Sequence, residues 1–513
     1  MAPLDILSSP VTWVWVVTVV SLLWILYKYA TSTFNYFSDQ GILGPKPIPI
    51  FGNLWGIWKA NIPEYDVALV KQYGKVFGYF DGLLPNLWIT DADMIKAICV
   101  KDFEHFVDRR SFGIQTKVMR KWMMLMKGQE WKDIRSSVTP AFTTGKIKRM
   151  SGLIRDCVSN LSDQMSRLTE SDGKIDSKLV FSAYTMDVIA RCAFGLKIDN
   201  LGSKDDQFMK NAAYILNPPA NKSPIVLLPF VYPKLLSSLS TYAERLLITK
   251  EHRFFFKLLE DVLKDRSQSK EKFNDFIELA DEAISDFTKE VDGKTVPVWS
   301  REEIDEIIMA QSTLFMLAGF DTTATTLTNI FFQLARNQDI QEKLYESIVT
   351  KMEDYDEVCH DMVQDMPYLE MVIQEVLRYY PPLTRVEREC TKDYSYDNGR
   401  IQIKEGQMVT IPAFALHHME EYYPDPEKFD PERWTPENKA KRNPYAYLAF
   451  GIGPRSCIGM RFALEEMKIA ICAVVQKFRF FPVEETPEKL CFENGLLAVL
   501  QTIQAVVGIE LRQ

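Results

Sequence analysis

The chain has 513 residues, 47% of them apolar, and a formal charge of −9 at neutral pH. Length alone allows about three domains, but no internal repeat, low-complexity tract or long polar linker occurs after residue 60, so one large unit with an ample core is expected. The negative balance excludes a general nucleic-acid binder while leaving room for a local basic face.

Five histidines form no pair at zinc spacing, and His417-His418 are adjacent, so they do not share a helix face. Eight scattered cysteines without a CxxC fit reduced thiols in a cytosol-facing protein.

Val11 to Tyr27 is a run of 17 residues without a charge. As a helix it spans about 26 Å, the short end of a bilayer crossing. Trp13, Trp15, Trp24 and Tyr27 suit interfacial positions, Lys28 comes directly after, and Asp5 is the only charged side chain upstream. The cationic flank places the bulk of the chain in the cytoplasm. A cleaved signal peptide fits less well, because the apolar core is long and the basic flank lies on the wrong side. Residues 1–28 are therefore read as a transmembrane anchor. Residues 29–53 are a linker, in which the alternating prolines of Gly44 to Asn53 make a stiff, extended hinge. Residues 54–513 form the globular domain.

Val76 to Phe80 and Asn86 to Thr90 read as short strands around an Asp81-Gly82 turn. Beyond residue 90 the chain is mostly helical in pattern. Trp131 and Arg135, four apart, put an indole N–H and a guanidinium on one helix face, where both can donate to a carboxylate. The stretch 218–236 is too rich in proline for a straight helix. Ser300 and Glu303 form a capping box, with Trp299 and Ile304 as its hydrophobic staple, and open a helix running to about Asn337, roughly 50 Å.

Within that helix, Ala318-Gly319-Phe320-Asp321-Thr322-Thr323 is a poor helix interior. Gly319 costs about 1 kcal/mol relative to alanine, and Thr322 can bond the carbonyl of Ala318. Asp321 is an expensive charge unless partnered. Read locally, the hexad marks a kink at a close packing contact. Further on, Glu375 and Arg378 stand at i,i+3, Pro431 to Trp434 supplies Arg433, and alternation around Arg385 and Arg388 suggests a strand end facing a pocket.

The decapeptide Phe450-Gly451-Ile452-Gly453-Pro454-Arg455-Ser456-Cys457-Ile458-Gly459 makes a bent loop that runs into a helix from Met460. Cys457 at that helix entrance faces free amides and the positive end of the dipole, an environment expected to lower its thiol pKa and favour the metal-binding thiolate. Arg455 adds a fixed cation for an anionic ligand.

The decapeptide resembles the Phe-x-x-Gly-x-Arg-x-Cys-x-Gly haem-binding signature of the cytochrome P450 monooxygenases, and the resemblance covers essentially the whole chain. It implies a mainly α fold with small β-sheets, one large haem domain behind a single anchor helix. It implies haem b, with Cys457 as axial iron ligand. Phe450, Arg455, Gly459, Arg109, Trp131, Arg135 and Arg388 would hold the cofactor, the last three through its propionates. Thr322 would hold dioxygen or its water partner, Asp321 would relay protons, and Ala318 and Gly319 would leave room above the iron. Glu375, Arg378 and Arg433 would form the structural triad. Phe112, Phe315, Leu383, Thr384, Leu496 and Leu497 would line the substrate pocket, and the 218–236 stretch would be a membrane-touching access loop.

By the same resemblance, electrons come from NADPH through NADPH–cytochrome P450 reductase, with cytochrome b5 as a second candidate donor. They would dock on a basic scatter of Lys132, Lys146, Lys148, Arg149, Lys439, Lys441 and Arg442. The expected setting is the endoplasmic reticulum membrane, single-pass, with the catalytic domain in the cytoplasm. The nearest branch oxidises lipophilic xenobiotics and steroids. Two competing readings are a haem-thiolate isomerase acting on peroxides and a non-catalytic haem-binding membrane protein; intact Thr322 and Asp321 argue against both.

Overall fold

The computed structural model describes residues 10–512 apart from 112–114, 199–206, 217–226, 233–235, 237, 239–247, 269–272, 274, 292–293, 493–498, 501 and 504. The apolar run forms α1 (Pro10–Ala30). Its Val11–Ala30 span has a mean hydropathy of 1.7, and its side chains stand clear of the domain except at Ala30, which is buried. Twenty-one residues reach about 31 Å, enough to cross a bilayer.

Residues after α1 are not a free spacer. Phe37 is 5% exposed and its ring meets Phe80 edge-on at 5.4 Å. The amide of Gly78 donates to Leu43 O at 2.8 Å. A Cβ on Gly44 would lie 2.0 Å from Gly78 O, so glycine is needed for this approach. The prolines hold the chain extended, and extended chain lies flat on a sheet.

That sheet pairs β1 (Val76–Asp81) with β2 (Leu84–Ile89), antiparallel around the expected turn, where Gly82 takes φ +63°. Next come α2 (Gly128–Val138), α3 (Thr144–Thr169), β3 (Lys174–Asp176) and α4 (Ser177–Phe194). Asp176 caps α4 by accepting from the Lys178 and Leu179 amides.

The long helix α5 (Arg301–Arg336) opens on the expected capping box, Ser300 N donating to Glu303 Oε2 at 2.8 Å. Trp299 stacks on Phe287 at 5.3 Å and joins the same core as Ile304. Thirty-six residues at about 1.5 Å each carry α5 through the whole domain. It is buried on nearly every side through its second half, with Phe331 stacked on Phe181 of α4 at 4.6 Å.

The remaining elements that bear on the site are α6 (Pro367–Tyr379), β4 (Val386–Glu389), β5 (Met408–Ile411), α7 (Met460–Lys477), β6 (Phe478–Phe481) and β7 (Val506–Leu511). The four-stranded sheet runs β1-β2-β5-β4, with β2 and β5 parallel and the rest antiparallel. A second, antiparallel sheet runs β6-β7-β3. The architecture is mainly α with small sheets. Of the 218–236 stretch, the described part includes a single helical turn, Leu228–Val231.

Candidate active site

The cysteine loop bends where its glycines demand it. Gly451 and Gly453 take φ +69° and +74°, and a Cβ on Gly453 would lie 1.9 Å from Cys99 O. Cys457 N donates to Phe450 O at 2.8 Å, closing the loop, while the Phe450 ring packs on the main core. Gly459 begins α7, and the amides of Gly459 and Met460 donate to the Cys457 sulfur. All eight cysteines are free thiols, and Cys457 is exposed.

The helix-entrance argument accounts for those amides but not for the net direction. Burial among protein atoms is the largest influence and pushes the Cys457 thiol up, against the pull of the two amides, Arg135 and Arg109. Metal binding, which selects the thiolate, has to offset that.

Four arginines gather beside the loop. Arg109 Nη2 donates to Arg455 O at 2.8 Å. Arg455 was expected to face an anionic ligand; instead its nitrogens donate to the carbonyls of Val107 (2.9 Å), Met123 (3.1 Å) and Met126 (2.7 Å). Its guanidinium lies 3.9 Å over the Trp131 ring, so Trp131 supplies a face to Arg455. Arg388 is 0% exposed, and its Nε and Nη2 have no partner among the described residues. Burial, reinforced by Arg388, pulls Arg109 down to about 9. Burial with Arg109 and Arg388 pulls Arg455 down to about 8, Asp108 opposing from 3.9 Å. Burial lowers Arg135 and Arg388 in the same sense.

Crowded buried cations with orphaned N–H groups and little carboxylate to balance them call for an anion. A planar cofactor carrying two carboxylates, with a metal over Cys457, fits this donor set.

The hexad lies in the middle of α5. Ala318 is exposed, while Phe315, Gly319 and Thr322 are half-buried, breaking the buried pattern along one side. Thr322 Oγ1 donates to Ala318 O at 2.6 Å, the back-bond expected from spacing. Phe315 shares this side and meets Phe276 and Phe142 edge-on at 4.5 and 5.2 Å.

Gly319 serves packing: a Cβ there would lie 2.6 Å from Ile189 Cδ1, so its missing side chain admits α4. Asp321 has the partner its burial requires, Lys178 Nζ of α4 at 2.6 Å, which no local signal disclosed.

The expected triad is hydrogen-bonded only in part: Glu375 accepts from Arg378, Arg433 Nε is buried without a hydrogen-bond partner among the described residues, and a further residue joins. Arg378 grips Glu375 by two bonds, 2.9 and 2.8 Å, both residues fully buried. Arg433 Nε stands 3.4 Å from Glu375 but spends its other nitrogens on the carbonyls of Pro424, Asp425 and Lys428. Trp434 Nε1 donates to Glu375 at 2.9 Å, a fourth member that spacing did not reveal. His417, also missed, accepts from Leu448 N on Nε2 and faces Arg378 O with Nδ1, tying α6 to the segment that leads into the cysteine loop.

Among the expected pocket residues, Leu383 is 46% exposed and bridges Val499, whereas Thr384 is buried and its carbonyl accepts from Phe414 N. Phe112, Leu496 and Leu497 lie outside the described residues. The basic scatter is partly neutralised, Lys146 pairing with Glu282 at 2.9 Å and Lys148 with Asp361 at 2.7 Å, while Arg442 keeps its charge and lies 4.2 Å over the Trp434 ring.

A family model for Cytochrome P450 matches residues 42–507. Cytochrome P450 3A2 of Rattus norvegicus is 38% identical over 490 residues, 94% of each chain. Cytochrome P450 3A11 of Mus musculus is 37% identical over 503 residues, 96% of each. Cytochrome P450 3A29 of Sus scrofa is 36% identical over 485 residues, 94% of each. With its cysteine loop at a helix entrance, its cluster of four arginines and the broken burial pattern along one side of α5, the chain belongs to the cytochrome P450 family and is a monooxygenase of that family.

Proposed function

We propose that the protein inserts one atom of dioxygen into lipophilic small molecules of the xenobiotic or steroid kind, with electrons from NADPH through a reductase. Likeness to the 3A proteins over nearly the whole chain supports the substrate class. Haem b, bound at Cys457, would supply the activation of dioxygen. The protein's own residues do the rest.

Arg109, Arg135, Arg388 and Trp131 would hold the cofactor's carboxylates, which relieves the crowding of buried cations. Arg455 would act one step back: its three carbonyl bonds fasten the cysteine loop to residues 107–126. Thr322 spends its own proton on Ala318, so its oxygen is left to accept one from the cavity side. Asp321, next in chain and held by Lys178, would pass protons toward that oxygen. Phe315, Ala318 and Leu383, none of them fully buried, are apolar and would line a pocket that selects lipophilic substrates.

The reductase, and cytochrome b5 as a second donor, would dock over α2 and the Lys439–Arg442 segment, where Lys132 and Lys439 are exposed. The Lys28 flank of α1 and the free thiols support a single-pass anchor in the endoplasmic reticulum, with the domain in the cytoplasm.

The observation that carries this reading is an exposed thiol at a helix entrance beside four arginines, two of them buried and two half-buried. Reduced protein under carbon monoxide should show the long-wavelength Soret band of a thiolate ligand, lost in Cys457→Ser. A histidine-type Soret band in the unmodified protein would sink the proposal.

A further inference from the structure

Three consecutive residues, Val107 to Arg109, touch every segment that carries Arg109, Arg135, Arg388 or Arg455. Val107 O accepts from Arg455 Nε at 2.9 Å, and Arg109 Nη2 donates to Arg455 O at 2.8 Å, so the chain grips the cysteine loop on both sides of Asp108. Asp108 O accepts from Glu389 N at 2.8 Å, beside Arg388 at the end of β4. Asp108 Oδ1 accepts from Gly128 N at 2.7 Å, at the first residue of α2, the helix that bears Trp131 and Arg135. Lys127, at the N-cap of α2, makes no side-chain cap bond, so this orphan amide is satisfied from 20 residues back in the chain.

Asp108 is 8% exposed, and a carboxylate so buried requires donors or a cation. Among the described residues it is the only carboxylate that pairs with any of the four arginines, at 3.9 Å from Arg455 Nη2. Neighbouring Glu387 and Glu389 are spent elsewhere, on Arg110 at 2.9 Å and on Lys127 at 2.5 Å. The arginines bring four positive charges, and Asp108 brings one negative charge to meet them. Cys457 as thiolate supplies a second, and a cofactor with two carboxylates supplies the rest. The surroundings are then balanced before the charge of the iron core is counted.

We propose that Asp108 is a positioning residue of the cofactor site, stapling the arginine-bearing segments together while its charge holds the iron potential down. The inference rests on the haem reading above. In balanced surroundings the ferric core carries the one uncompensated positive charge, and a single electron from the reductase cancels it. Without the charge of Asp108 the surroundings are one unit more positive and favour the reduced core, an effect that is strong where water is excluded. An asparagine oxygen or a serine hydroxyl at 108 can still accept from Gly128 N, and the main-chain bond to Glu389 is untouched by either. The charge can thus be removed with the staple left in place.

The test uses full-length holoenzyme. The iron potential is read by dithionite titration of the Soret band, and haem retention by transfer to apomyoglobin. Asp108→Asn and Asp108→Ser should raise the ferrous-to-ferric ratio at a fixed potential at least threefold, about 28 mV on a scale of about 59 mV per tenfold. Their carbonyl band should stay at the thiolate position. Asp108→Glu, which keeps the charge, should remain within that threefold. Asp108→Ala, which loses both charge and cap, should show the same rise and release haem at least threefold faster than Asp108→Asn. If neither Asp108→Asn nor Asp108→Ser moves the potential, the charge role is refuted. Loss of the thiolate band in both, with Asp108→Glu intact, would put the charge in thiolate retention and overturn its role in the potential. If Asp108→Ala keeps haem as well as Asp108→Asn does, the staple is refuted. A histidine-type carbonyl band in the unmodified protein would instead sink the haem reading itself.

Discussion

Glu466 and His417 are both fully buried, and burial drives their titrations in opposite directions. Glu466, in α7, has no partner on either oxygen among the described residues, and burial pushes its carboxyl well above the usual range. The native state therefore keeps a proton that the unfolded chain releases above about pH 4.3, and stability falls as pH rises from there toward the native value. Glu466→Gln should remove that slope: little change in thermal midpoint near pH 4, and a higher midpoint than the unmodified protein at pH 7.5. His417 is held neutral, first by burial and then by His418 and Arg378. The unfolded chain takes up a proton below about pH 6.5 and the native state does not, so stability falls as pH drops through that value. His417→Gln should flatten this acid limb at a cost of about 1–3 kcal/mol at neutral pH for the lost Leu448 and Arg378 contacts, read from melts at pH 5, 6 and 7.5. Thr322→Ala should leave NADPH consumption running while peroxide replaces product; unchanged coupling would remove the role proposed for that hydroxyl. Thr322 was legible from spacing, because its bond closes within one turn. Lys178 was not, because it lies 143 residues from Asp321.

At the scale of elements, α4 and α5 meet at Gly319. An alanine there gains about 0.8–1 kcal/mol of helix propensity, but its Cβ would press on Ile189 Cδ1, the mobile end of a side chain. Gly319→Ala should therefore be close to neutral. Combined with Ile189→Val, which withdraws the obstructing methyl, it should be more stable than the sum of the single changes, a coupling read from a double-mutant cycle. Gly319→Val should cost about 1–3 kcal/mol through overpacking. Additive single and double variants would mean that the helices part easily here. The capping box, the back-bonding threonine and the bent cysteine loop were all visible in the sequence, since each depends on residues within one turn. The docking of residues 31–53 on β1 was not, because prolines enforce extended chain without naming the surface beneath it.

For the whole molecule, α1 is separable and the segment behind it is not. Removing residues 1–30 should release the protein from membranes in a flotation assay and leave the thermal midpoint of the domain within a few degrees. Removing residues 1–53 takes away Phe37, whose burial alone contributes about 1.5–3 kcal/mol, and the Leu43–Gly78 bond. That second truncation should melt clearly lower; equal midpoints would show that the docked segment adds nothing.

From the sequence alone came the long apolar first helix, the long capped helix, the cysteine at a helix entrance and, through the pattern of the decapeptide, the family. Each is written in contiguous residues, where backbone preference and periodicity act before any distant contact forms. Tertiary packing decided which partner each buried charge found: Arg455 took three carbonyls, Asp321 took Lys178, and Arg388 kept nitrogens without a partner for an anion. A buried charge must be neutralised or hydrogen-bonded by whatever the fold brings near, and what it brings near is set by chain crossings a hundred residues apart.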